Sequence, residues 1–336
     1  MEKIKEVVSK LTGGPFKTAL EVSECRKLQF KVSTGSVDLD NVLGGGVESQ
    51  NLTEAYGEYR SGKTQLSHTL SVSCQVAVAG YRPGKAMFMD TENTFRPDRL
   101  KQIARRFELD EDTVLENVTV ARCYTTDHQI ELLGQYAAHV SHPPHARRPL
   151  FVAHHIISHF LSPASLLLFV SPTSSSRSPL QSLVSHSFSS RLLSLFAADY
   201  IAGKFNEEKG QYRLLVIDSV MALFRVDFCG RGELAERQQK LAQFLSRVSK
   251  IAEEYNVAVF MTNQMTADPG ASMSFQADPK KPIGGNILGH ASTVRIYLKK
   301  GRGENRIAKV VDAPDLPEAE ATFALTEGGV SNASDA

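Results

Sequence analysis

Eight consecutive residues, Gly57-Glu58-Tyr59-Arg60-Ser61-Gly62-Lys63-Thr64, restrict this chain more than anything else in it. They follow an apolar, β-rich run from Asn51 to Tyr56 and lead into a stretch with helical character, so a strand, a tight loop and a helix are expected in that order. Glycines at positions 57 and 62 let the backbone curl until successive N–H groups face one point, where the helix N-terminus adds positive dipole. An ammonium and a hydroxyl side by side at 63 and 64 complete a cradle for polyphosphate. The pattern is GxxxxGKT, a phosphate loop: Lys63 is expected on the β and γ phosphates of ATP and Thr64 on Mg²⁺, with Gln65 beside them. The bland alternative is a glycine-rich turn carrying an exposed lysine.

A magnesium nucleotide calls for a carboxylate from a neighbouring strand. Leu214-Leu215-Val216-Ile217-Asp218 offers one at the end of a buried run, so Asp218 is the expected second metal ligand. Hydrolysis also needs a group to orient or activate water. Met87-Phe88-Met89-Asp90-Thr91-Glu92 ends another strand at the same sheet edge; Glu92 leads, with Asp90 as the alternative. Either acid could instead cap the helix that begins near Pro97.

Short apolar runs recur between helical stretches: Asn51 to Tyr56, Ala86 to Met89, Val118 to Ala121, Leu214 to Ile217 and Val257 to Thr262. Continuous apolar strands are buried on both faces, so the fold class is α/β, a mostly parallel twisted sheet flanked by helices. Ala235 to Glu254 reads as a long helix with Leu241, Phe244, Leu245, Val248 and Ile251 on one face. Thr293 to Leu298 and Arg306 to Asp312 read as a C-terminal antiparallel extension.

One block does not belong to this pattern. Residues 134–198 contain no Asp, Glu or Lys, but fifteen Ser, seven of the ten His, and four charges, all arginine. Six prolines interrupt its apolar runs, and no helical or strand period holds. A membrane span near 150–170 would place three histidines and a proline in lipid. Metal binding by the histidines has neither regular spacing nor acidic or thiolate partners. Ser, Leu, Phe, Pro and His share pyrimidine-rich codons, so the block is read as a retained intron or gene-model error. Without it, Glu131-Leu132-Leu133 continues into Asp199-Tyr200-Ile201 as one amphipathic helix.

Net charge sharpens the point. The 336-residue chain carries +1, but removing four arginines leaves 34 basic against 37 acidic residues, a net of −3. Nucleic-acid binding would therefore depend on local patches. Cys25, Cys74, Cys123 and Cys229 form no metal-ligand spacing and read as reduced thiols of a cytosolic or nuclear protein, and the N-terminus carries no secretory pattern.

Four segments together resemble the eukaryotic RecA-like DNA strand-exchange recombinases. They are the phosphate loop, Asp90-Thr91-Glu92-Asn93-Thr94-Phe95-Arg96-Pro97, Phe224 to Leu234, and Gly284 to Ala291. The wording of Asn263 to Pro282 is nearer the meiosis-specific member of the family. The resemblance covers residues 1–133 and 199–336. It implies a RecA-like P-loop ATPase core in two parts, 25–133 and 199–336, preceded by a linker at 1–24. Of the family's small N-terminal helical domain, only the last helix, Glu2 to Leu11, is expected.

The resemblance further implies ATP and Mg²⁺ as cofactors, single- and double-stranded DNA as partners, and a homo-oligomer, filament or ring. Recombination mediator proteins, a nuclear location and no membrane complete the expectation. Arg99 would stack on adenine and Gln264 would sense the γ-phosphate, while His290, Asp312 and Pro317 would meet a neighbouring protomer's nucleotide. Phe16-Lys17-Thr18-Ala19 matches the family's polymerisation motif, in which a segment adds to a neighbour's sheet while Phe16 and Ala19 fill pockets. Two loops would hold DNA, one through Arg225, Arg231 and Gly232, the other through Met265, Met273, Lys280 and Lys281. Rival readings are a non-catalytic mediator of the same fold, an inactive isoform and a small-molecule phosphotransferase.

Overall fold

All five apolar runs become strands of a single nine-stranded sheet. In the computed structural model, residues 16–77, 82–134, 200–230, 232–267 and 280–333 are described. The expected helix at Glu2 to Leu11, most of the 134–198 block, Arg231 and Met273 lie outside them.

The strands in chain order are β1 (Lys31–Val32), β2 (Val47–Glu48), β3 (Leu52–Gly57), β4 (Lys85–Asp90), β5 (Val118–Arg122), β6 (Tyr212–Asp218) and β7 (Ala258–Asn263). They continue with β8 (Met265–Ala267), β9 (Lys280–Pro282), β10 (Val294–Lys300), β11 (Asn305–Asp312), β12 (Glu320–Thr326) and β13 (Gly329–Asn332). The large sheet runs β13-β12-β11-β10-β3-β7-β6-β4-β5, while β1 with β2 and β8 with β9 form two small antiparallel pairs. From β10 through β5 the neighbours are parallel; from β10 to β13 they are antiparallel. The α/β class and the antiparallel extension are as expected. The extension has two more strands, β12 and β13, than the sequence pattern suggested.

Burial explains the order. Every residue of β3 and β7 is buried, as befits central strands covered by helices on both faces. Fully buried Phe88 and Phe260 lie in β4 and β7. The long helix spans Leu234–Tyr255 and buries the five apolar residues expected of it, plus Ala252. It stops where Asn256 takes a left-handed conformation. Pro97 opens the helix Pro97–Arg106, its fixed φ suiting the first turn and its missing N–H costing nothing there.

Contacts divide the chain into two units, one comprising residues up to Ile130 with Lys204 onward, the other Glu131–Gly203. With the block present, a separate helix stands on either side of it. Thr126–Glu131 ends in a turn at Gly134, where φ is +84° and the N–H donates to the Glu131 carbonyl at 2.8 Å. A second helix runs Tyr200–Glu207, and the Ile201 N–H donates to the Leu132 carbonyl at 3.1 Å. With residues 134–198 removed, Ile201 would stand four positions after Leu132, so this bond has the spacing of an α-helical hydrogen bond. The two helix ends thereby satisfy one another's orphan groups. Among the described residues, no helix is long and apolar enough to cross a membrane.

Candidate functional site

Strands β3, β4, β6 and β7 all end at one edge of the sheet, and the expected chemistry converges there, as in other open α/β sheets. A cavity of about 670 Å³ is lined by residues 57–65, Glu92, Thr94, Asp218, Ser219, Thr262, Gln264, Met265, Arg306 and Leu325. The phosphate loop leaves β3 at Gly57, where a Cβ would lie 2.3 Å from the Leu298 carbonyl, so only glycine fits. Gly62 sits at φ +100° immediately before the helix Lys63–Ser73.

The Lys63 ammonium donates to the Gly57 and Glu58 carbonyls, both at 2.8 Å, and to Ser61 Oγ at 3.3 Å. Burial lowers its pKa, opposed by the charges of Asp218 and Glu92. Asp218 is almost wholly buried, which raises the pKa of its carboxyl. It accepts hydrogen bonds from Thr262 Oγ1 at 2.5 Å and from the Thr64 side chain. A buried carboxylate touching a hydroxyl on the phosphate loop fits Mg²⁺, which takes few protein oxygens and shares the rest with phosphate.

The two acids at the end of β4 have different surroundings. Asp90 is 3% exposed; it accepts N–H bonds from Glu92, Thr94 and Phe95 and pairs with Arg122 at 3.0 Å. Its oxygens are occupied in shaping the loop. Glu92 lines the cavity instead, its Oε1 accepting from Ser219 Oγ at 2.7 Å and Gln264 Nε2 at 2.5 Å. Gln264 Oε1 in turn accepts from Arg225 Nη1 at 2.8 Å. A continuous chain of hydrogen bonds thus joins Arg225, Gln264, Glu92 and Ser219.

His68 was not singled out by the sequence. Buried one turn along the helix from Thr64, it bonds the Thr64 carbonyl through Nδ1 at 2.7 Å and accepts the Arg96 N–H on Nε2 at 3.1 Å. Those partners fix the neutral Nδ1–H tautomer, and burial lowers its pKa. Arg306 and Leu325 were also missed. Buried Arg306 donates to the Arg60 carbonyl at 3.1 Å, and Arg60 holds φ at +63°. The available signal was an arginine at an inward position of an alternating strand.

Other expected residues lie around this site. Arg99 is half-buried beside Gln65 Oε1 at 2.8 Å and also donates to the Thr326 and Glu327 carbonyls. Tyr59 is exposed, with the Arg60 guanidinium 5.3 Å from its ring centre. His290, Asp312 and Pro317 are exposed and do not line the cavity. Arg225 and Gly232 are exposed. Met265 starts β8, while Lys280 and Lys281 are exposed in β9, Lys280 pairing with Glu58 at 2.5 Å. Phe16 is 90% exposed, and Ala19 begins the helix Ala19–Arg26, which has no buried residue and is capped by Thr18 and Glu21.

A Rad51 family model matches residues 25–162 and 188–333. The chain belongs to the Rad51 family. Rad51-family proteins are DNA-dependent ATPases of strand exchange that bind DNA as oligomeric filaments. The human meiotic recombination protein DMC1/LIM15 homolog is 54% identical over 334 residues, covering 99% of this chain and 79% of that protein. The DMC1 homolog of Lilium longiflorum is 45% identical over 336 residues, covering all of this chain and 77% of the lily protein. That of Arabidopsis thaliana is 43% identical over 337 residues, with 100% and 78% covered.

Proposed function

We propose that this chain is a meiotic recombinase that assembles on single-stranded DNA and pairs it with a homologous duplex, ATP in the cavity setting the active state. The observation that carries this is the chain Arg225–Gln264–Glu92–Ser219, because it connects an exposed arginine beside the first candidate DNA loop to the acid that lines the cavity with the phosphate loop.

The loop N–H groups and Lys63 hold the triphosphate, and Lys63 exchanges its loop carbonyls for phosphate oxygens. Thr64 and Asp218 would hold Mg²⁺, which would supply positive charge against the phosphates. Glu92 orients and deprotonates the attacking water, and Gln264 turns Glu92 toward or away from it. Arg99, beside Gln65, flanks the adenine. In a filament, His290, Asp312 and Pro317 face the nucleotide of the next copy, while exposed Phe16 and Ala19 seat in pockets of that copy. Arg225, Arg231, Gly232, Met265, Met273, Lys280 and Lys281 grip the backbone of single-stranded DNA without reading bases. Acting on chromosomal DNA, the protein works in the nucleus, with recombination mediators loading it.

The test is ATP turnover with and without single-stranded DNA of unrelated sequences, followed by strand exchange. Stimulation that is sequence-independent and weakens with salt is expected. Turnover indifferent to DNA would point to a filament adaptor instead.

A further inference from the structure

The residues that flank the β8–β9 pair, Gln264 before it and Ile283 after it, meet at one buried amide. Asn263, the last residue of β7, is fully buried. Its Nδ2 donates to Glu54 Oε1 at 2.8 Å and to the Ile283 carbonyl at 2.7 Å, while its Oδ1 accepts the Gln264 N–H at 2.8 Å. Gln264 is the first residue beyond β7 and Ile283 the first beyond β9, and the Ile283 N–H donates to the Gln264 carbonyl at 3.1 Å. One side chain therefore clasps the outgoing and returning strands together. Only this orientation of the amide works, since the flipped one would set oxygen against a carboxylate and a carbonyl.

The clasp is tied to the phosphate strand. Glu54 lies in β3, three residues before Gly57, and is fully buried. Its Oε2 accepts from Arg295 Nε at 2.8 Å and Ser292 Oγ at 3.4 Å. The Arg295 guanidinium lies 5.2 Å from the centre of the Tyr56 ring. A carboxylate this deep is tolerated because cation, hydroxyl and amide all address it. A fully satisfied buried network of this kind is rigid and specifies one arrangement.

We propose that Asn263 is a positioning residue: it fixes the direction in which Gln264 leaves the sheet, so that movement of the β8–β9 segment is delivered to Glu92 instead of being absorbed at the strand end. The proposal rests on the reading of Gln264 as the element that couples DNA to hydrolysis. It assigns Glu54 and Asn263 a role in coupling beyond holding β3 against β7.

The test separates these roles by reversing one bond. Asn263→Asp places a carboxyl against Glu54 Oε1 and against the Ile283 carbonyl. Adding Glu54→Gln restores a donor–acceptor pair between β3 and β7 but leaves Gln264 and Ile283 unclasped. DNA-stimulated kcat is expected to fall about tenfold or more in Asn263→Asp, with KM for ATP changed less than about threefold. In the double variant the melting temperature should recover toward that of the parent chain while DNA stimulation stays lost. If the single variant does not fold, the double variant carries the same expectation. Stimulation that survives in the single variant, or returns with stability in the double, overturns the proposal. Gln264→Ala is measured alongside: lost stimulation there, with stimulation restored in the double variant, overturns the clasp alone. Intact stimulation in Gln264→Ala overturns the coupling reading beneath it and the proposed route with it.

Discussion

The two halves of the sheet handle burial in opposite ways. Strands β3 and β7 are buried at every position, whereas β10 and β11 alternate inward and outward residues. The parallel half places its chemistry at strand ends: the phosphate loop after β3, Glu92 after β4, Asp218 at the end of β6 and Gln264 after β7. The antiparallel half supplies mostly carbonyls. Those of Thr326 and Glu327 accept from Arg99, those of Gly328 and Val330 accept from Arg106, and Arg306 holds the Arg60 carbonyl. One half carries the residues proposed for the reaction and the other keeps its loops in place. Parallel strands, covered on both faces, have only their ends free for function, while hairpins have turns that can reach over the edge.

The largest effect should come from Lys63→Ala, which removes the ammonium of the phosphate loop. ATP turnover should drop by about 100-fold or more without loss of folding, checked by steady-state hydrolysis and circular dichroism. Retained turnover would end the assignment of chemistry to the parallel half.

Phe88→Ala in β4 and Phe323→Ala in β12 compare the two cores directly, since both rings are fully buried. Each should cost about 3–5 kcal/mol in urea unfolding. If Phe323→Ala cost under about 1 kcal/mol, the extension would be a peripheral flap and no brace.

Arg306→Ala tests the division of labour more gently. KM for ATP should rise about tenfold, with kcat within about twofold, because the loop loses a charged donor but no reacting group. A fall in kcat comparable to that of Lys63→Ala would place Arg306 in the reaction.

The smallest effect concerns the thiols. Burial pushes the pKa of Cys74 and Cys123 up to about 12, while Cys25 and Cys229 are exposed. A raised thiol pKa disfavours the reactive thiolate, so raising pH from 7 to 9 should leave both buried thiols unlabelled. Mass spectrometry after brief alkylation should find label at Cys25 and Cys229 only; label at Cys74 would mean that the helix behind the phosphate loop opens readily.

Much of the parallel half was legible in the sequence because strands buried on both faces are written as uninterrupted apolar runs. Glu92 and Asp90 could not be separated that way, being two positions apart at one strand end. Their difference arises because the Asp90 side chain turns back onto the N–H groups of Glu92, Thr94 and Phe95. Strand β12 was missed because Glu320–Thr326 is only half apolar, its inward residues including small Ala321 and Ala324. His68 looked like any polar residue of a helix until Arg96 was brought against its second nitrogen.

By itself the sequence determined the phosphate loop, the class of the sheet and the long amphipathic helix, because each depends on neighbours within a few residues or on one repeating period. Tertiary structure decided which acid faces the cavity, that Arg225 reaches Gln264 and Gln264 reaches Glu92, and that Asn263 joins two strands to Glu54. Those contacts span tens to hundreds of residues along the chain. They exist because sheet order, imposed by burial, places β3 beside β7 and β6 beside β4, and no local pattern encodes that adjacency.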